Sequence, residues 1–126
     1  LKAAERLYRT ILQSQPRHPD ANHNLGVLAV ALKKTAAALP LLKTAVEANP
    51  KIEQFWLSYI DALIKEKQFK NASRVIKKGK RVGVSKGKLD SFAERLSSLG
   101  KLENRSKHRP SHARLSNLLL ISSKFR

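Results

Sequence analysis

The sequence predicts an all-α protein of stacked helix pairs, and three observations carry that reading. Landmark residues recur at an offset of 34: Ala4, Ala38 and Ala72; Tyr8, Leu42 and Ile76; Asn22 and Trp56; Pro16 and Pro50. Between the landmarks, apolar residues keep the i, i+3, i+4, i+7 spacing of amphipathic helices, not the alternation of strands. The breaks between these stretches fall at Pro-containing or Lys-rich turns. A helix pair of this kind cannot bury its apolar stripe alone. It stacks on its neighbours as a right-handed solenoid, here of about two and a half repeats.

Residues 2–14 place Ala4, Leu7, Tyr8, Ile11 and Leu12 on one stripe, the second helix of a pair. Pro16 and Pro19 end it, and Asp20 is the expected N-cap of a helix running to about Leu32. The buried stripe of that helix is Asn22, Leu25, Gly26, Leu28 and Ala29. A mid-helix glycine costs roughly 1 kcal/mol against alanine, so Gly26 implies a close approach by the partner helix. Lys33-Lys34-Thr35 makes the turn and Ala36 to Ala48 the return helix, with Pro40 near its start. Asn49-Pro50 closes the unit.

The third unit repeats the plan. Ile52 to Lys65 turns Trp56, Tyr59, Ile60 and Leu63 to the core, Gln68-Phe69 is the turn, and Asn71 to Lys80 returns with Ala72, Val75 and Ile76 inside. Gly83-Val84-Ser85 stands where a proline closed the earlier units. Ser85 is the expected N-cap of a capping helix, residues 86–99, whose face is Leu89, Phe92, Ala93, Leu96 and Leu99. The division is therefore 1–85 repeats, 86–99 cap and 100–126 a basic linker and tail. In the tail, Leu115, Leu118, Leu119 and Phe125 could add a further helix.

Net charge is +17, and there is no cysteine, which excludes disulfides, thiolate metal sites and a cysteine nucleophile. The surplus of cations is uneven. Residues 1–50 carry seven Lys/Arg against three acids, residues 51–100 twelve against five, and residues 101–126 seven against one. Such a balance favours acidic partners. No apolar run reaches the roughly 18 residues of a membrane span. The N-terminal residues lack a signal-peptide h-region, and the expected location is cytoplasmic. With no methionine anywhere, the chain reads as a piece of a longer one.

These residues resemble the tetratricopeptide repeat (TPR) family over about Leu1 to Ser85. The middle unit fits best, with Asn22, Leu25, Gly26, Ala29, Ala38, Leu42, Ala45 and Pro50 on consensus positions. Trp56, Leu63, Ala72 and Ile76 fit in the third, where Ile60 replaces a consensus glycine, Gly79 an alanine and Ser85 the proline. Asn24-Leu25-Gly26 is similar to repeats of O-linked N-acetylglucosamine transferases, and NHNLGVLAV and FWLSYIDALI look like bacterial repeat regions preceding glycosyltransferase or sulfotransferase domains. That resemblance implies a peptide-binding groove and offers an alternative role, the substrate-recruiting arm of a larger enzyme. It also implies that Asn24 bonds a peptide backbone, with Ser58 its counterpart one repeat on.

Little points to catalysis. His18 and His23 do not share a helix face, Pro110 separates His108 from His112, the carboxylates are scattered, and Gly79 to Gly87 lacks the ending of a phosphate loop. No cofactor or metal is expected. The candidate site is the groove formed by the exposed faces of the first helices: Asp20, His23, Asn24, Val27 and Ala31, then Gln54, Leu57, Ser58, Asp61 and Lys65. A basic stripe of Arg74, Lys77, Lys78 and Arg81 is the other candidate. It suits an acidic protein or, as a further alternative, nucleic acid, although no aromatics interleave with it for base stacking. The partner expected first is a protein or peptide of acidic character, and the chain's open ends allow self-association.

Overall fold

The computed structural model describes residues 1–108, with side chains as far as Gly100. The six helices are α1 (Lys2–Ser14), α2 (Pro19–Ala31), α3 (Thr35–Ala48), α4 (Glu53–Lys65), α5 (Phe69–Val82) and α6 (Lys86–His108), with no strand among the described residues. Leu1–Leu96 forms one compact unit. From Ser97 a second unit begins, whose described part is the C-terminal stretch of α6. The expectations for Leu115 to Phe125 and for His112 lie outside the described residues.

Sequence neighbours are spatial neighbours. Each of α1 to α4 packs on the helix that follows it, and α2 also touches α4. The centre is where α2, α3 and α4 meet. There Ala38, Leu42 and Ala62 are fully buried and Ala29, Val30, Leu39 and Tyr59 close around them. Small residues at Gly26 and Ala38 allow α2 and α3 to approach, and Leu42 fills the space that a side chain on Gly26 would take.

The 34-residue offset in the sequence is an offset in the structure. Lys33 and Lys67 both take positive φ, 65° and 59°, ending α2 and α4 in the same way. Lys34 N–H bonds Ala29 carbonyl and Gln68 N–H bonds Leu63 carbonyl, the same bond one unit apart. Asn22 Nδ2 donates to the carbonyl of Pro16 at 3.0 Å, and Trp56 Nε1 donates to the carbonyl of Pro50 at 2.8 Å. An amide and an indole thus do one job: each ties the entrance of a first helix back to the proline six residues earlier. Both are buried, where an unpaired donor is costly.

Several boundaries differ from expectation. Asp20 is not the N-cap of α2. Pro19 occupies the first turn, where no N–H is needed, so the helix starts earlier and His18 Nδ1 accepts the Ala21 N–H at 3.1 Å. Asp20 instead sits in the first turn, beside the positive end of the helix dipole. Phe69 opens α5 and is not part of the turn. Gly100 does not start a linker: α6 continues past Leu99 to His108, since one glycine costs about 1 kcal/mol and no proline intervenes before Pro110.

α5 runs two residues past the expected Lys80, to Val82. Gly83 takes φ 96° and caps the helix in the left-handed region that glycine alone enters freely. Ser85 precedes α6, its carbonyl accepting Leu89 N–H, while Glu53 of α4 accepts the Ser85 N–H at 2.8 Å and Lys88 Nζ at 2.7 Å. Leu89 is fully buried and stands 34 residues after Phe55, which is itself 34 after Ala21. Over its first turns, α6 therefore covers the stack in the manner of a further first helix.

Candidate functional site

The expected groove residues lie on the outward sides of α2 and α4, and the structure brings part of the set together. His23 is half-buried between the two helices. Its ring centroid is 4.7 Å from that of Phe55, and its Nε2 lies 2.8 Å from Ser58 Oγ. Gln54 Nε2 donates to the same hydroxyl at 3.2 Å, and His23 Nδ1 is 3.4 Å from Asn24 Oδ1. A neutral imidazole can serve all three contacts: Gln54 donates to Ser58, the Ser58 hydroxyl donates to Nε2, and the Nδ1 hydrogen points to Asn24.

Burial of the ring holds the His23 pKa below its ordinary value, outweighing the opposing effects of the Asn24 bond and the Asp20 charge. The sign of the consequence is fixed. Below about pH 6.5 the unfolded chain takes up a proton that the folded chain accepts only at lower pH. Stability is full above that value and is lost as pH falls through the window beneath it. Thermal unfolding is expected at a lower temperature at pH 5.5 than at pH 7.5, with a smaller drop in His23→Gln. Equal drops in the two proteins would remove His23 from the explanation. The carboxylates held below their usual range, Glu5, Glu53 and Asp90, titrate beneath this window.

Around this cluster the surface is apolar and then charged. Val27 is 43% exposed and Leu57 half-buried. Asn24, Ala31, Gln54 and Asp20 are exposed, which leaves the Asn24 and Gln54 amides open to a ligand. Asp61 receives Lys65 at 3.0 Å and Arg95 of α6 at 3.1 Å. Arg95 is the residue that sequence reasoning missed. It stands 34 residues after Asp61, so the register that placed Asp61 on this face would have placed Arg95 there too. Its guanidinium also lies 5.6 Å from the Phe92 ring.

The face is consequently close to electroneutral, because Asp61 engages both Lys65 and Arg95 and Asp20 supplies a second negative charge. The unbalanced charge lies elsewhere. Arg74, Lys77, Lys78 and Arg81 are all exposed on α5, and none has a carboxylate partner among the described residues; Arg74 reaches only the Asn71 side-chain oxygen, at 3.2 Å. A cavity of about 280 Å³ between α1, α2 and α3, lined chiefly by Leu25, Leu28, Leu32 and Leu41, was not foreseen either. Glu5, Arg9 and Lys34 also line it and add charged groups to the leucines. Among the described residues no three His, Cys, Asp or Glu side chains gather as metal ligands, and no helix is long and apolar enough to cross a membrane.

Ser58 and His23 have the separation of a nucleophile and its base, but the further partners of both are amides, not a carboxylate. The arrangement suits accepting and donating hydrogen bonds along a bound chain. In a comparison with known families, residues 1–53 fit the family model described as tetratricopeptide repeat. A comparison with curated proteins finds no match.

Proposed function

Because this chain belongs to the tetratricopeptide repeat family, matched over residues 1–53 and continued by the same helix-pair plan to Val82, we propose that it is a non-catalytic module that binds a protein partner through an extended peptide. Such repeats in general mediate protein–protein interaction. The peptide lies across the outward sides of α2 and α4. The observation that carries this reading is the His23–Ser58–Gln54 cluster, which joins the two helices and leaves exposed amides and Val27 beside it. Amides at Asn24 and Gln54 pair with peptide groups, and Val27 and Leu57 take an apolar side chain. Because Lys65 and Arg95 are engaged by Asp61, this face fits a peptide of low net charge better than an acidic one. The exposed Asn24 amide equally suits the substrate-recruiting arm of a larger glycosyltransferase-type enzyme, whose peptide would occupy the same face.

The test is selection of peptides from a displayed random library, followed by Kd measurement on variants. A net hydrogen bond contributes about 0.5–1.5 kcal/mol, so Asn24→Ala is expected to weaken binding roughly 2- to 12-fold, and the double variant with Leu57→Ala by more than tenfold. Unchanged affinity in the double variant, or a library that yields no binder, would remove the proposal.

A further inference from the structure

We propose that α5 carries a second, independent binding surface, an outward cationic row that holds the phosphate backbone of nucleic acid without reading its bases. At 100° per residue, Lys70, Arg74, Lys77 and Arg81 fall within about 60° of one another, on the side of α5 opposite the buried Ala72, Ile76 and Gly79. Lys78 flanks them. The row runs about 16 Å along the helix, at about 1.5 Å per residue. Every one of these five side chains is exposed. The sixth cation of α5, Lys80, is bound to Asp90 at 2.8 Å and stands off the row. α5 itself holds no acidic residue.

Like charges at i, i+4 destabilise a helix by a few tenths of a kcal/mol per pair. The row therefore costs stability that a bound polyanion returns. Its chemistry separates the classes of polyanion. A protein partner binds through apolar and aromatic anchors, and interface cores are poor in lysine. This row is two lysines and two arginines, flanked by a third lysine, and has no apolar or aromatic side chain within it to anchor a protein partner. A membrane-binding helix inserts a broad apolar face, whereas Ala72 and Ile76 of α5 are buried in the core and Val82, its exposed large apolar side chain, lies at its end. A linear row of point charges matches a linear polyanion, whose strand carries a charge about every 3.4 Å. The register extends the match beyond one helix. Lys2 and Arg6 on α1, both exposed, hold the places of Lys70 and Arg74, whereas on α3 only Lys43 is cationic, at the place of Lys77, and Glu47 holds that of Arg81.

The experiment is fluorescence anisotropy of a labelled 20-nucleotide oligouridylate against the whole chain, from about 0.05 to 0.3 M salt. Neutralising four or five phosphates of a single strand gives a slope of log K against log salt near −3. The Lys77→Glu/Lys78→Glu variant is expected to bind at least tenfold more weakly and to flatten the slope by more than one. An Arg17→Glu/Lys51→Glu variant has the same net charge, with the change placed in the loops before α2 and α4. It is expected to lose much less, and Asn24→Ala to lose nothing. Equal losses in the two charge-reversal variants would reduce the effect to net charge and overturn the proposal. So would tighter binding to polyglutamate, or to vesicles containing about 30% phosphatidylserine, than to the oligonucleotide at equal charge concentration.

Discussion

Trp56→Ala is expected to lose about 3–5 kcal/mol of unfolding free energy, the range for removing a buried tryptophan. The indole is 3% exposed, and its Nε1 hydrogen reaches the Pro50 carbonyl at 2.8 Å. Alanine leaves a cavity at the junction of α4, α5 and the α3–α4 turn and deprives a half-enclosed carbonyl of its donor. Domains of this size commonly have only 5–15 kcal/mol in hand, so the variant should be largely unfolded near 37 °C. Trp56→Phe retains most of the ring and loses the hydrogen bond, and should fall between the two. Circular dichroism in urea measures all three proteins, whereas fluorescence cannot, since Trp56 is the sole tryptophan. A loss below about 1 kcal/mol in the alanine variant would contradict the tie between Trp56 and Pro50.

Gly26→Val should be of similar severity for the opposite reason. A Cβ built on Gly26 meets Leu42 Cδ2 at 2.7 Å and Cγ at 2.8 Å, and Leu42 is fully buried with no room to turn aside. Overpacking of this kind costs about 1–3 kcal/mol, more where the clash involves several atoms. Alanine already carries the clashing Cβ, so Gly26→Ala should also destabilise, by about 1–3 kcal/mol offset by up to about 1 kcal/mol of helix propensity, and less than valine, whose methyls add further contacts. The diagnostic is the pair. Leu42→Ala alone opens a cavity worth about 2–5 kcal/mol. In Gly26→Val/Leu42→Ala the valine methyls occupy that space, and the double variant should lose clearly less than the sum. Additive losses would mean that α2 and α3 do not meet at these residues.

Much of this architecture was legible because it is written in repetition. Gly26 announced the close approach to α3, and the Asn22/Trp56 and Pro16/Pro50 pairs announced equivalent positions, although the bond they share was not foreseen. The illegible parts are those decided by atoms outside the pattern. The start of α2 turned on Pro19 and a histidine ring acting as a cap, a competition between neighbouring residues that periodicity does not see. The extension of α6 past Gly100 turned on the absence of a strong breaker. Gly79 stands where the resemblance expects an alanine. A Cβ there would meet Leu89 and Trp56 at 3.4 Å, ordinary contact, so the glycine is not forced by packing.

The candidate site was legible as a set of positions and not as a network. Register put His23, Asn24, Gln54, Ser58 and Asp61 on one face. That His23 bridges to Ser58, or that Asp61 would neutralise both Lys65 and Arg95, depends on rotamers and on the placing of α6. The α5 stripe of Arg74, Lys77, Lys78 and Arg81 was legible from the sequence; what it did not show is that Asp61 engages the cations of the groove face.

The central claim is that the outward sides of α2 and α4 form the peptide-binding face and that α5 does not. The most direct test is a ¹⁵N–¹H correlation titration of the labelled chain with the best library-selected peptide. Shifts concentrated at residues 20–31 and 54–65, foremost His23, Asn24, Val27, Leu57 and Ser58, are the predicted result. Shifts confined to α5, or to the cavity between α1, α2 and α3, would contradict it.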